Sequence, residues 1–287
     1  LLQLPMKINR LALRLCMCAL VLLRALSLYA DGKDSLSRKM IHMAGIDVKP
    51  AYVFPTHEFF AGNNATFSPI RKNLSVHLKY GFKFAPDTYF GRMYPHAVQG
   101  IGVGYNTFFH SSELGNPWSV YAFQTSRIAS LTPRLSLDYE WNFGASFGWK
   151  KYDAESNPYN RVVGSRINAY IHLGVLLNWQ LDAQTNLRAG IGATHFSNGN
   201  TAYPNAGVNT LGASIGLTRY FGGTSRATLA DGSSGIVRRP PFKPYVSYDL
   251  IVYGAARFIW YSRAEFYADV QLQPLFQSRC VGRCTVR

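Results

Sequence analysis

Two residues that can act together as base and nucleophile lie near the end of an alternating segment. His195 and Ser197 are two positions apart, after an apolar stretch that begins at Leu187. In an extended chain, residues i and i+2 project from the same face, so we expect the two side chains to lie side by side. An imidazole beside a serine hydroxyl can take its proton and make the oxygen a nucleophile. The spacing therefore indicates a hydrolase site.

The face that carries this pair is otherwise apolar, and in a membrane barrel such a face turns toward lipid. Asn209 opens the following strand with the same parity, so in a hairpin it would lie next to His195. A polar side chain that faces lipid costs free energy. The presence of three such residues on one face therefore favours a functional role and a lipid substrate. The apolar residues that share this face are Leu187, Ala189, Ile191, Ala193, Leu211, Ala213, Ile215 and Leu217.

The same residues also have interpretations without a catalytic role. A histidine near a serine is commonly a polar residue at the end of a strand. Asn209 could likewise only start a strand instead of orienting the imidazole. No other histidine of the chain has metal-like spacing, and Cys280 and Cys284 do not form a zinc pattern, so we expect no metal and no cofactor.

Most of the chain alternates between apolar and polar residues, which is typical of strands and not of helices. These segments exceed ordinary strand length and match tilted membrane strands, and their polar faces are small and hydrophilic like a barrel interior. The sequence predicts an all-β, antiparallel transmembrane β-barrel of about eight strands, without a second domain. The alternating segments are Leu74–Phe84, Gln99–Phe109, Trp118–Thr125, Leu135–Trp149, Ile167–Leu181, Leu187–Ser197, Asn209–Phe221 and Tyr245–Phe258.

The N-terminus is predicted to direct the chain to the envelope. Residues 1–30 read as a secretory signal peptide cleaved after Ala30, and the residues before Met6 are interpreted as non-native. A membrane anchor is the alternative, which the charges of Arg14 and Arg24 disfavour. Residues 31–70 are then a periplasmic or first-strand segment, and 71–260 the barrel.

The composition fits a lipid environment. The chain has 18 Tyr, 18 Phe and 5 Trp and a formal net charge of +15. Its basic residues are scattered through the predicted strands and form no helix or patch, which argues against a nucleic-acid partner. Anionic lipid or lipopolysaccharide phosphate is the expected partner, in a membrane.

The C-terminal segment departs from this pattern. Residues 261–287 bring in several arginines and the cysteines Cys280 and Cys284. An unpaired closing strand would expose backbone groups to hydrocarbon, so a native chain should finish in a membrane strand. We interpret 261–287 as a frameshifted end that leaves the barrel incomplete at its C-terminus. A genuine tail after closure at Tyr245–Phe258 is the alternative.

The block GATHFSNGNTAYPNAGVNTLGASIGL resembles the PagL-like lipid A 3-O-deacylases, a family of outer-membrane acyloxyacyl hydrolases. The resemblance lies in the H-x-S-N motif, a downstream P-N-x-G, and a third residue at the spacing between His195 and Asn209. It implies that Ser197 attacks an ester carbonyl and that His195 is the general base. It also implies that Asn198, Asn205 and Gly207 form the oxyanion or substrate-binding site.

The departure from the family lies at the third position, where the best-known members have glutamate and this chain has Asn209. An amide oxygen can set the imidazole tautomer but supplies no charge to stabilise the imidazolium. The favoured function is an outer-membrane esterase that removes an acyl chain from lipid A or a related lipid of the outer leaflet. The alternatives are a non-catalytic barrel with a decayed site and a small pore or binding barrel.

Overall fold

The fold is a closed antiparallel barrel of eight strands, seen in a computed structural model that describes residues 40–222, 245–259 and 263–277. Neighbouring strands pair in sequence order, and β1 pairs with β8 to close the barrel. The strands are β1 (Met40–Val53), β2 (Lys72–Phe84), β3 (Val98–Thr107), β4 (Gly115–Thr132), β5 (Leu135–Trp149), β6 (Ile167–Gln180), β7 (Thr185–Ser197) and β8 (Val208–Phe221).

Two short helices and a separate two-stranded sheet accompany the barrel. Helix α1 (Glu58–Ala61) lies between β1 and β2, and helix α2 (Tyr89–Met93) lies between β2 and β3. Strands β9 (Tyr245–Ile259) and β10 (Arg263–Gln277) pair only with each other as a two-stranded sheet. Within the described ranges, no helix is both long and apolar enough to cross a membrane.

Side chains alternate between the two surfaces of the barrel as the sequence predicts. Along β2, Leu78 and Tyr80 are exposed on the outside, whereas His77 and Lys79 are buried in the lumen. The other strands repeat this pattern, with large apolar residues outside and polar residues inside. An apolar exterior around a polar interior is the architecture of an outer-membrane β-barrel, which confirms the predicted fold class and localisation.

The predicted boundaries of the barrel need correction. The sequence placed it at 71–260, but its strands run from Met40 to Phe221. The β1 segment was missed as a strand because Asp47, Lys49 and Pro50 interrupt its apolar pattern. Tyr245–Ile259 has strand alternation but pairs with β10 and not with β8, so the barrel closes without it.

Closure between β1 and β8 leaves no barrel edge open, contrary to the expectation of an incomplete barrel. Part of the segment at 261–287 forms β10. The predicted signal peptide and the cysteines at Cys280 and Cys284 lie outside the described residues.

A network of buried charges crosses the lumen. Lys79 Nζ lies 2.5 Å from carboxylate oxygens of both Asp47 and Glu140. Lys49 Nζ lies 3.6 Å from Glu140, and Arg188 also pairs with this carboxylate. The network thus ties together β1, β2, β5 and β7 with three cations around two anions. Because these charges are removed from water, each depends on its partners.

Glu140 contacts all three cations of the network, so its removal should destabilise the barrel. We expect Glu140→Gln to lower the free energy of unfolding by about 3–5 kcal/mol, since it leaves buried cations with fewer counter-charges. Urea titration of the heat-modifiable form, followed by gel mobility, measures the change. Glu155→Gln, at an exposed loop position, is the matched control. Equal midpoints for both variants would contradict this role of Glu140.

Candidate active site

The end of β7 is fixed by a buried aromatic residue between the two candidate catalytic side chains. Phe196 is 2% exposed and packs inside the barrel, with ring centroids 5.1 Å from Trp149 and 5.4 Å from Tyr170. Because strand side chains alternate, this inward position turns His195 and Ser197 outward. The core packing therefore sets the direction of the pair.

His195 connects the serine to the next strand. Its Nε2 lies 2.9 Å from Ser197 Oγ, and its Nδ1 lies 2.7 Å from Asn209 Oδ1. Asn209 stands directly opposite His195 in the β7–β8 register. The structure therefore brings together all three residues that the sequence placed on one face.

This arrangement selects one tautomer of the imidazole. An amide oxygen can only accept a hydrogen bond, so Nδ1 of His195 carries the hydrogen that Asn209 accepts. The lone pair of Nε2 then faces the hydroxyl of Ser197. A histidine in this state can accept the serine proton, which is the task of a general base.

Gly207 lies against the histidine ring. Its backbone has a φ of +72°, a conformation that favours glycine, and a Cβ there would lie 3.2 Å from His195 Cε1. A side chain at this position would combine backbone strain with crowding of the imidazole. The structure thus shows Gly207 making room for His195, and the oxyanion or substrate-binding role that the resemblance implies stays a prediction.

Asn198 and Asn205 shape the loop that follows the serine. The backbone N–H of Asn198 donates to Asn205 Oδ1 over 3.1 Å, and its side-chain amide donates to Ala202 O over 2.8 Å. Asn205 Nδ2 donates to Asn200 Oδ1 over 3.0 Å. Each side-chain amide has two hydrogens, so one on each asparagine is not used by these bonds.

A second loop docks onto the serine loop, which the sequence analysis missed. Ala206 N donates to Val162 O over 3.1 Å, and Val163 pairs with Asn205 in an isolated bridge. Asn160 Oδ1 holds this segment by accepting from the backbone N–H groups of Val162 and Val163. The motif gave no signal for these contacts, because they join segments that are about forty residues apart.

The surroundings of the pair are apolar and lie on the outside of the barrel. On the same face, Ile191 is 62% exposed and Leu211 is 47% exposed, and Ala169 stands opposite Ser197 in the β6–β7 register. Ser197 ends β7 at the barrel end that carries the long segments 54–71, 150–166 and 198–207. The opposite end carries the two short turns at 133–134 and 181–184 together with the segment 85–97 that contains α2. Short turns are typical of the periplasmic end of outer-membrane barrels.

Another serine–histidine pair lies in the lumen. His77 contacts Ser75 Oγ and Tyr121 OH, both at 2.9 Å, but its side chain is 1% exposed. A substrate cannot reach it, so it serves the packing of the lumen. Among the described residues, no group of three or more His, Cys, Asp or Glu side chains could hold a metal ion.

The fold and the site together define an outer-membrane β-barrel with a serine–histidine pair on its lipid-facing surface. The sequence model of the lipid A 3-O-deacylase (PagL) family matches residues 99–218, a range that contains His195, Ser197 and Asn209. The resemblance indicated by the H-x-S-N motif is therefore confirmed. No curated protein matches the chain.

Several solved structures resemble this barrel. The outer membrane enzyme PagL is 12% identical with a TM-score of 0.42, and the match covers 60% of this chain and 97% of that one. Neisserial surface protein A is 11% identical with a TM-score of 0.38, covering 63% and 96%. The N-terminal β-barrel domain of Pseudomonas aeruginosa OprF is 8% identical with a TM-score of 0.36, covering 64% and 98%.

The outward direction of the site can be tested with a label at Ala193, which is exposed on the face of His195. In a chain with its native cysteines replaced, we expect a spin label on Ala193→Cys to respond to a lipid-phase quencher and not to an aqueous one. Ser156→Cys, in an exposed loop, is the control that should respond to the aqueous quencher. Aqueous quenching at position 193 would instead place this face away from lipid.

Proposed function

We propose that the protein is a serine esterase that removes an ester-linked acyl chain from lipid A in the outer leaflet of the outer membrane. The observation that carries the proposal is the hydrogen-bonded chain from Ser197 through His195 to Asn209 on the lipid-facing surface. The match to the lipid A 3-O-deacylase family supports the reaction class. The position at the long-loop end of the barrel supports access from the outer leaflet.

The reaction follows from the geometry of the pair. As Ser197 Oγ attacks the ester carbonyl carbon, its proton passes to Nε2 of His195. The tetrahedral intermediate then expels the sugar alkoxide, which takes the proton back from His195, and the acyl chain stays on Ser197. A water molecule attacks this acyl-enzyme with His195 again as the base. The products are a free fatty acid and a lipid with one new hydroxyl.

The oxyanion of each tetrahedral intermediate needs hydrogen-bond donors. Asn205 is partly exposed, and one of its amide hydrogens is not used by the bond to Asn200. Asn198 likewise has one amide hydrogen beyond the bond to Ala202. We assign the donor role to these two asparagines, with Asn205 as the more accessible, while Gly207 keeps the space for His195.

Asn209 provides orientation without charge. Its amide oxygen fixes the imidazole tautomer that a general base requires. This differs from the acid-to-amide change in serine proteases, which costs about 10⁴ in rate through the wrong tautomer. What Asn209 does not provide is the stabilisation of the imidazolium by a carboxylate. We therefore expect the wild type to be active, with a kcat that an acid at this position would raise.

The filled lumen disfavours the pore alternative. The buried pairs of Lys79 with Asp47 and Glu140 cross the middle of the barrel. Buried aromatic rings, among them Phe196 and Tyr170, fill the end near the site. These side chains occupy the space through which a solute would pass.

Loss of either member of the pair should abolish ester cleavage. We expect Ser197→Ala and His195→Ala to leave lipid A uncleaved, because each removes the nucleophile or the base. Mass spectrometry of lipid A from cells expressing each form measures the loss of one acyl chain. Heat-modifiable mobility of the variants controls for folding. Deacylation near the wild-type level in both variants would show that the assignment is wrong, and an inactive wild type would favour the non-catalytic barrel.

Substitutions at Asn209 separate orientation from charge. We expect Asn209→Ala to lower kcat by up to about 10⁴, because the imidazole is then no longer held in the tautomer that a general base requires. Asn209→Asp should raise kcat by about tenfold, since a charge-assisted hydrogen bond is stronger than a neutral one. Asn209→Glu, the residue of the best-known family members, should preserve or raise activity. Wild-type activity in Asn209→Ala would show that the residue has only a structural role near the start of β8.

A further inference from the structure

We propose that Arg161 and Arg166 bind a phosphate group of the lipid substrate beside Ser197, so that the enzyme prefers phosphorylated lipids. This inference rests on the proposed esterase function and names the head-group chemistry that the same site recognises. Both arginines are exposed and lie in the connection between β5 and β6.

The two arginines stand on either side of the segment that docks onto the serine loop. Between them, Val162 O accepts a hydrogen bond from Ala206 N, and Val163 pairs with Asn205. Gly164 also packs closely, because a Cβ there would lie 2.5 Å from Pro204 O. The docked segment is therefore held against the loop that carries the candidate oxyanion donors. Because Arg161 and Arg166 flank this segment, their backbones are held near the same loop.

The register places Arg166 close to the nucleophile. Ala169 stands opposite Ser197 in the β6–β7 pairing, and Arg166 precedes it by three positions. Three residues span at most about 10 Å, and neighbouring strands are about 4.8 Å apart. Because Arg166 lies in a bend just before β6, its Cα lies within about 11 Å of that of Ser197, toward the head-group side of the membrane surface. A long arginine side chain and a sugar-sized head group can bridge that distance.

Of the other basic groups near this barrel end, Arg71 and Lys150 are engaged in hydrogen bonds, whereas Lys72 and Lys151 are also exposed. Arg71 Nη1 donates to Phe60 O, and Lys150 Nζ donates to Ser112 O. By contrast, the side chains of Arg161 and Arg166 make no hydrogen bond or ion pair with any other residue in the described ranges. The nearby carboxylate of Asp153 accepts bonds from its own turn, at Glu155 and Ser156. Two exposed guanidinium groups therefore remain available for an anion.

Phosphate is the anion that suits such a pair in this place. A guanidinium group presents planar, paired donors that match phosphate oxygens, and bonds between charged groups are stronger than neutral ones. The groups also lie next to an apolar surface, where screening by water is reduced. A phosphate bound there would orient the head group so that an ester of the same molecule reaches Ser197.

The test compares lipids that differ only in phosphate. The full chain is refolded in a non-ionic detergent, so that the substrate carries the only phosphate present. Initial rates are measured with phosphorylated lipid A, with enzymatically dephosphorylated lipid A and with the neutral ester p-nitrophenyl decanoate. The variants are Arg161→Ala/Arg166→Ala, the charge-conserving Arg161→Lys/Arg166→Lys, and the control Arg134→Ala in the turn at the opposite end.

We expect the double alanine variant to raise KM for phosphorylated lipid A by about tenfold or more, as for the loss of charged hydrogen bonds. The rate with the neutral ester and with dephosphorylated lipid A should stay near that of the wild type. The double lysine variant should recover part of the affinity, and Arg134→Ala should match the wild type. Equal losses on all three substrates would overturn the proposal, as would a wild type without preference for phosphate.

Binding to the Ser197→Ala variant separates this inference from the proposed function. Its affinity for the two lipid A forms is measured by titration, with and without the double alanine substitution. A preference for phosphorylated lipid A that disappears with the arginines supports the phosphate site even if the wild type hydrolyses nothing. Equal affinity for the two forms overturns the phosphate site even if the wild type is an active esterase.

Discussion

The alternation of inward and outward side chains along β7 is the constraint on which the site depends. Phe196 fills the aromatic core of the lumen, so its neighbours His195 and Ser197 must point outward. Closure of the barrel between β1 and β8 leaves each strand side chain facing either the lumen or lipid. Pairing of β7 with β8 then brings Asn209 to the histidine. A hydrogen-bonded polar chain on a surface that faces lipid is the result.

The sequence predicted the parts of this arrangement that rest on local periodicity. Alternation identified most of the barrel strands, and the two-residue spacing identified the outward pair of His195 and Ser197. Hairpin parity also placed Asn209 beside the histidine, as the structure shows. These successes share one cause, because a strand fixes the direction of each side chain from its position alone.

The parts that depend on contacts between distant segments could not be predicted. The pairing of Lys79 with Asp47 and Glu140 joins three strands, and no local pattern shows which lumen charges meet. The docking of Val163 onto Asn205 is equally non-local. The sequence did not predict closure between β1 and β8, because charged lumen residues and Pro50 interrupt the apolar pattern of β1. The regular alternation of Tyr245–Ile259 suggested a barrel strand in its place. Burial of a charge in a lumen needs partners that only the assembled barrel supplies.

The central claim, that Ser197 is an activated nucleophile open to lipid, is tested most directly by covalent trapping. A fluorophosphonate with a long alkyl chain would be added to the protein in lipid vesicles, and the modified residue located by peptide mass spectrometry. Activated serines react with such reagents through the same attack that begins ester cleavage. We predict modification of Ser197 in the wild type and its loss in His195→Ala. An unmodified Ser197 in the folded wild type, or equal modification without His195, would contradict the claim.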